Sequence, residues 1–387
     1  MKRVGHLYEK MCDKTQIRVS IRNAMKGKKK RREVKEVEEH FDYYVDQLYD
    51  MLINRSYVPT VPKHKTIWDK CGGKERTISI VPFFPDACVH RLAVDVAKDK
   101  VFMKHMYTYS CASIPGRGGA HAKKYIERLL RDKKHTKYAI KLDIKKYYPS
   151  IRPEIMMNRL AFRIKDEEYL DLVHSIITSD PDETGLAIGF YINQWLANYL
   201  LEDIDHAIPN HRKGHTSPRR RTGQQEIEEE KEGNANKRKK HIFYVRNMDD
   251  MIIIGSNKRD LERAAKTIKR RLSYLHLELK PNYAVFTVDE VGIDFVGYRF
   301  FHGYTLLRRH NSLRLMQRIR KVHKKQENDE RVTFTEAAGL LSLIGQLKQV
   351  CHHVFNTKYL PMINIDALKE IVRKYVKKKK AGKEVNK

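Results

Sequence analysis

Three carboxylates stand out by position: Asp143, closing the short apolar run YAIKLD, and the adjacent pair Asp249 and Asp250 inside FYVRNMDDMIIIG. Both segments read as strands, the second as a hairpin with the acids at its tip, and pairing them would bring sequence-distant acids together. Adjacent strand residues point to opposite faces, so Asp249 and Asp250 serve one site only from a turn, which the preceding Arg246-Asn247 favours. Converging carboxylates are hard oxygen donors suited to two magnesium ions roughly 4 Å apart, an arrangement that stabilises both the attacking and the leaving oxygen of an in-line displacement at phosphorus. An Asp-Asp pair at a hairpin tip is equally at home as solvated turn chemistry, so the pair alone does not decide the reaction.

The chain that must position these acids has 387 residues, with 78 Lys and Arg against 48 Asp and Glu, a formal charge of +30. Such a charge repels itself unless a polyanion neutralises it, so nucleic acid is the expected partner class, whatever the chemistry. The length implies two or three sub-domains. Cys12, Cys71, Cys88, Cys111 and Cys351 are scattered without a C-x-x-C pair, which argues against a disulfide framework or zinc ribbon and fits a reducing cytoplasm. Cys351-His352-His353 has no second cluster at ligand spacing and reads as ordinary helix residues. No apolar run approaches the roughly 20 residues of a membrane span, and the first residues lack an apolar signal core, so a soluble protein with no membrane partner is expected.

Apolar residues from Val37 to Ile53 recur at spacings near 3.6, which predicts one amphipathic helix over 34–56, ending before Pro59 and Pro62. Residues 63–82 predict a basic β-ribbon: KHKTIWDK, a turn at Cys71-Gly72-Gly73-Lys74, then the alternating RTISIVP. Helices are predicted over 90–104 and 120–131. Between them SIPGRGGA either approaches a phosphate backbone or simply connects. Residues 209–240 have the composition of a disordered insertion, and helices over 313–326, 334–350 and 365–375 form a basic C-terminal unit. The basic runs at 26–32 and 377–380 are expected to be solvated and to tether nucleic acid non-specifically.

Taken in order, the motifs resemble those of reverse transcriptases over roughly residues 60–310. IKLDIKKYYPSI, residues 140–151, resembles the first palm motif, an acid after a strand followed by two aromatics. GLAIGFYINQWLAN, residues 185–198, resembles the second, whose glycines let backbone lie close to nucleotide and template. YVRNMDDMIII resembles the third, with Met248 before the paired acids, and HLELKPNYAVF and GIDFVGYRF resemble the last palm motifs. The resemblance implies catalytic Asp143, Asp249 and Asp250, which with Ile144 would hold two Mg2+ ions, Mn2+ being able to substitute. It places Lys74, Arg76, Tyr148, Ile188, Gly189, Gln194 and Lys280 on the incoming nucleotide, Tyr148 as the gate against a ribose 2′-hydroxyl. Gly292, Phe295, Gly297 and Tyr298 would grip the primer. The implied fold is α+β, the right-hand polymerase: an N-terminal basic helical extension (1–58), fingers (59–137), a palm with an antiparallel sheet (138–305) and a helical thumb with a basic tail (306–387). The implied partners are an RNA template, a DNA or RNA primer and deoxynucleotides.

In retroviral and group II intron enzymes a glutamine typically precedes the second glycine of the second motif; here it is Ile188. An aliphatic residue there resembles the bacterial and phage reverse transcriptases of diversity-generating retroelements. That resemblance implies error-prone copying, a structured retroelement RNA and an accessory oligomeric protein. Asn193 stands where that pattern has serine, and the 209–240 insertion is a further departure, so a defence or phage-exclusion reverse transcriptase is the alternative. No endonuclease, RNase H or protease segment is expected after the thumb. Two other readings remain: an RNA-binding scaffold with a vestigial site, opposed by the intact acids, and a two-metal nuclease, which gives Tyr148 and Arg76 no role.

Overall fold

A computed structural model of the protein describes residues 3–69, 74–208 and 241–384. The chain divides into two compact units, one of Met1–Ala122 with Tyr138–Val285, the other of Lys123–Lys137 with Phe286–Lys387. Among the described residues no helix is long and apolar enough to cross a membrane. The candidate insertion at 209–240 and the ribbon turn at 70–73 lie outside the described residues.

In the first unit, β1 (Lys63–Asp69) and β2 (Lys74–Ile80) form the antiparallel ribbon, in register from Lys63 opposite Ile80 to Asp69 opposite Lys74. The second sheet contains β3 (Tyr138–Asp143), β4 (Ile242–Asn247) and β5 (Asp250–Gly255), with β5 antiparallel to both others. Its centre is buried on both faces: Met251, Ile252, Ile253 and Ile254 are all fully buried. That explains why β5 is a continuous apolar run rather than an alternating one. The Lys258–Ser273 helix packs on β5 and β3 through Leu261, Ala265, Ile268 and Leu272.

The N-terminal segment, expected to be a basic extension, supplies core. Helices Leu7–Met11 and Lys14–Met25 bury Leu7, Met11, Ile17 and Ile21 completely, each contributing about 1.5–3 kcal/mol of apolar burial. The single helix expected over 34–56 is two, Arg32–Glu39 and Phe41–Ile53, broken at His40 with φ −110° and ψ 41°. The break lets Val37 on one piece and Val45, Leu48 and Leu52 on the other all reach the core. The helix expected over 90–104 runs from Cys88 to Ala97 and then widens at Lys98–Phe102.

In the second unit, strands Ile293–Phe295, Tyr298–Phe301 and Tyr304–Leu307 form an antiparallel sheet of their own. The helices Arg309–Glu327, Phe334–Leu347 and Ile365–Glu384 enclose Leu315, Ile319, Leu340 and Leu368. Thr333 and Glu336 cap the Phe334–Leu347 helix reciprocally, satisfying backbone donors at its first turn. The range read as palm, 138–305, is thus divided after Val285. Phe295 and Phe300 are fully buried within the second unit, and the Thr305 hydroxyl donates to Glu127 at 2.7 Å.

Candidate active site

Strand pairing sets Asp143 opposite Asp250 across β3 and β5, and Asn247 opposite Asp250 across the β4–β5 hairpin. Met248 and Asp249 form the two-residue turn between these strands, so Asp249 leaves the strand alternation and can share a site with Asp250. Met248 takes φ 62°, a left-handed conformation costing a non-glycine residue about 1–2 kcal/mol. Ile144, just past Asp143, buries its side chain and bridges to Leu279, while the amide of Lys280 donates to the Asp143 carbonyl at 2.8 Å.

Two ammonium groups sit on the acids. Lys280 Nζ is 2.6 Å from Asp143 Oδ1, and Lys141 Nζ is 3.0 Å from Asp250 Oδ2. Among the described residues, Asp250 Oδ1 is buried and accepts no hydrogen bond. Burial pushes Asp250 up to about 6 against the pull of Lys141. Burial also raises Asp249; Asp143 adds to the rise, while Lys280 and Arg76 oppose it. Carboxylates with raised proton affinity, attracting whatever cations are near and leaving a buried oxygen unused, form a donor set that fits divalent ions. Asp143, Asp249 and Asp250, with the Ile144 carbonyl, would hold them.

Of the two aromatics after Asp143, Tyr147 is fully buried and its hydroxyl donates to the Ala197 carbonyl at 2.5 Å. Tyr148 is half-buried, with its hydroxyl 3.6 Å from Met248 Sδ. Its phenol is raised by burial and by Asp249. Arg76 is exposed on β2, and Lys74 begins that strand. The glycines of the second motif make room for protein. A Cβ on Gly185 would lie 2.4 Å from the Pro149 carbonyl oxygen, and one on Gly189, at φ 129°, would lie 2.2 Å from that of Ser79. Ile188 is half-buried and its carbonyl accepts from the Ser79 amide at 2.7 Å, which stitches this loop to β2. Gln194 is half-buried in the Tyr191–Leu200 helix, and Asn193 is fully buried, its Nδ2 donating to the Ala187 carbonyl at 2.9 Å.

Gly292, Phe295, Gly297 and Tyr298 lie in the second unit. Val296 and Gly297 turn the hairpin with φ 43° and 89°. Gly292, at φ 74°, lies against Phe301, whose ring a Cβ would meet at 2.5 Å. The Tyr298 hydroxyl donates to Gln349 at 3.3 Å.

The structure adds residues to the site. Lys141 had a signal, since it lies two positions before Asp143 on the same strand and so on the same face. Arg246 was read only as a turn former, yet it is fully buried against Asp205. A third group joins the ribbon to the second motif: His64 Nε2 is 2.9 Å from Asp180 Oδ2, and Nδ1 is 3.3 Å from Asp182 Oδ2. Ser79 Oγ donates to Asp180 Oδ2 at 2.7 Å. The ligand atoms of His64, Asp180 and Asp182 all lie within 4.8 Å of one another, and they already engage each other. Cys351-His352-His353, by contrast, is occupied with backbone, the Cys351 amide donating to Thr305 O at 2.8 Å and His352 Nδ1 lying 2.6 Å from Val350 O.

The family model for reverse transcriptase (RNA-dependent DNA polymerase) matches residues 61–300. The chain belongs to the reverse transcriptase family. With membership comes the α+β right-hand polymerase fold. Reverse transcriptases normally use divalent metal ions. None of the curated proteins matches the chain. Similar solved structures include apo telomerase from Candida tropicalis, at 14% identity and TM-score 0.45, covering 84% of this chain and 59% of that one. Another is telomerase from Candida albicans in complex with a TWJ fragment of telomeric RNA, at 12% identity and TM-score 0.43, covering 79% and 55%. The chain therefore spans a little over half the length of these telomerases.

Proposed function

We propose that the protein is an RNA-directed DNA polymerase that extends a DNA or RNA primer along an RNA template with deoxynucleotides. The observation that carries this reading is the register of Asp143 opposite Asp250, with Asp249 on the adjoining turn, inside a chain of this family. When bound, two magnesium ions would offset the charge that builds on the attacking and leaving oxygens. The chain's own residues do the rest. Asp143, Asp249 and Asp250 orient the site, and Arg76, electrostatically in reach of Asp249, offers a fixed cation to a triphosphate. Tyr148, whose hydroxyl lies 3.6 Å from Met248 Sδ, is the residue to which this reading gives the role of gate against a ribose 2′-hydroxyl. Lys141 and Lys280, which neutralise the acids in this structure, would be released as metal ions bind, leaving Lys280 free for the nucleotide.

The finer reading is error-prone cDNA synthesis in a bacterial or phage diversity-generating retroelement, in the cytoplasm, with a structured RNA and an accessory oligomeric protein as partners. Its support is the aliphatic Ile188 ahead of Gly189. A defence-associated reverse transcriptase is the second reading, favoured by Asn193, which takes a buried structural role in place of serine.

Primer extension on a defined RNA template, with magnesium and each deoxynucleotide, tests the proposal in wild type and Asp249→Ala. Extension by the wild type alone is expected, with errors concentrated opposite template adenine in the diversity-generating reading and accurate products in the other. Magnesium-dependent cleavage without nucleotide, and no extension, would point instead to a nuclease.

A further inference from the structure

Beneath the acid-bearing hairpin lies an ion pair whose side chains are 0% and 1% exposed, Arg246 and Asp205. Arg246 Nε and Nη2 donate to the two Asp205 oxygens at 2.7 and 2.6 Å. The Tyr244 hydroxyl adds a third donor to Asp205 at 2.9 Å. Nη1, the remaining arm, donates to Asn198 Oδ1 at 3.1 Å and to the carbonyl of Met248 at 3.0 Å. The backbone of Arg246 is fixed as well, its amide donating to Tyr109 at 3.0 Å and its carbonyl accepting from Cys111 at 2.8 Å.

Met248 is the residue at φ 62° immediately before Asp249. Its carbonyl belongs to the peptide that leads into Asp249, so whatever holds that oxygen sets the direction in which Asp249 departs from the turn. A well-packed apolar pair often stabilises a core as well as a buried ion pair does. Stability alone therefore gives little reason for two buried charges at this place. A guanidinium does what an apolar side chain cannot, because its rigid fork serves a carboxylate with one edge and a carbonyl with the other.

We infer that Arg246 is a positioning residue for metal binding: through the Met248 carbonyl it fixes the strained turn that aims Asp249 and Asp250, and Asp205 serves to balance and orient it. This rests on the reading of Asp249 and Asp250 as metal ligands. Lysine at this position keeps the charge opposite Asp205 but, as a single point donor, cannot hold both partners.

The test is Mn2+ binding to the full chain, read from the loss of the free-ion electron paramagnetic resonance signal. Wild type, Asp249→Ala/Asp250→Ala and Arg246→Lys are compared at a temperature where circular dichroism shows all three folded. Wild type is expected to bind Mn2+ at a site the double variant lacks. Arg246→Lys should bind about 10–100-fold more weakly, the usual effect of losing a group that orients a metal ligand. The magnesium concentration for half-maximal extension should rise in the same proportion, with the KM for primer unchanged. Unaltered Mn2+ affinity in folded Arg246→Lys overturns the inference. Wild-type binding that persists in the double acid variant overturns the ligand reading instead. Should Arg246→Lys not fold, Asn198→Ala carries the test, since Asn198 holds Nη1 beside the carbonyl. About tenfold weaker binding is expected there, and unchanged binding overturns the inference.

Discussion

Two charge clusters in the first unit each fasten a segment on which polymerase chemistry would depend, and they differ in one respect. Arg246 and Asp205 brace the acid hairpin from inside the core, with a guanidinium that stays charged at any ordinary pH. His64, Asp180 and Asp182 fasten β1 to the loop before Ile188 with an imidazole whose side chain is 28% exposed and which titrates. The first brace is therefore permanent, and the second is conditional on protonation. Geometry that must not vary is held by the group that cannot lose its proton.

The largest effect expected from breaking this contrast is in the core. Arg246→Met leaves the Asp205 carboxylate buried with no cation, and should lower unfolding stability by about 3–5 kcal/mol. Urea denaturation measures it, and adding Asp205→Leu to the same chain should restore most of the loss. Next comes the loop that the histidine cluster serves. Gly189→Ala places a Cβ against the Ser79 carbonyl at a φ that only glycine adopts easily. The expected cost is about 1–3 kcal/mol, seen as a lower melting temperature and faster proteolysis near β2. In the second unit, Thr333→Ala removes the helix cap and should cost about 1 kcal/mol, independently of the changes in the first.

The smallest and most specific effect is the pH dependence of the clasp. Asp180 raises the His64 pKa by its hydrogen bond, with Asp182 and Glu183 adding to the rise and burial opposing it. A raised folded-state value means that the contribution is complete below about pH 6.5, the ordinary histidine value, and is lost as pH rises through the folded value. Trp68, exposed on the same strand, dominates the red edge of the emission over the buried Trp195 and reports the ribbon through its fluorescence anisotropy there. Anisotropy should fall from pH 6 to pH 8 in the wild type and stay flat in His64→Gln. A flat wild-type profile would remove the distinction between the two braces.

How much of this was legible in the sequence follows from what each residue's signal rests on. The pairing of β3 with β5 could be read because both are apolar runs with an acid at one end, Asp143 closing β3 and Asp250 opening β5, and strand alternation dictated that Asp249 be on a turn. The break at His40 could not, since Val37, Val45, Leu48 and Leu52 keep helical phase across it and only the local backbone departs. The roles of Gly185 and Gly189 were read as room for nucleotide and template because glycine signals close approach without saying to what; the structure shows Pro149 and Ser79. Arg246 reads in sequence only as a turn former because its partner, Asp205, lies on the far side of the 209–240 segment, with no spacing rule to link them. Lys141, by contrast, is visible in IKLDI through its period-two relation to Asp143.

Whether Asp143, Asp249 and Asp250 act as one polymerising centre is tested directly by single-nucleotide extension of a primer on an RNA template, in magnesium, with wild type and Asp143→Asn both verified as folded. Wild-type extension with loss to background in Asp143→Asn is the predicted result. Extension by Asp143→Asn at the wild-type rate would contradict the account.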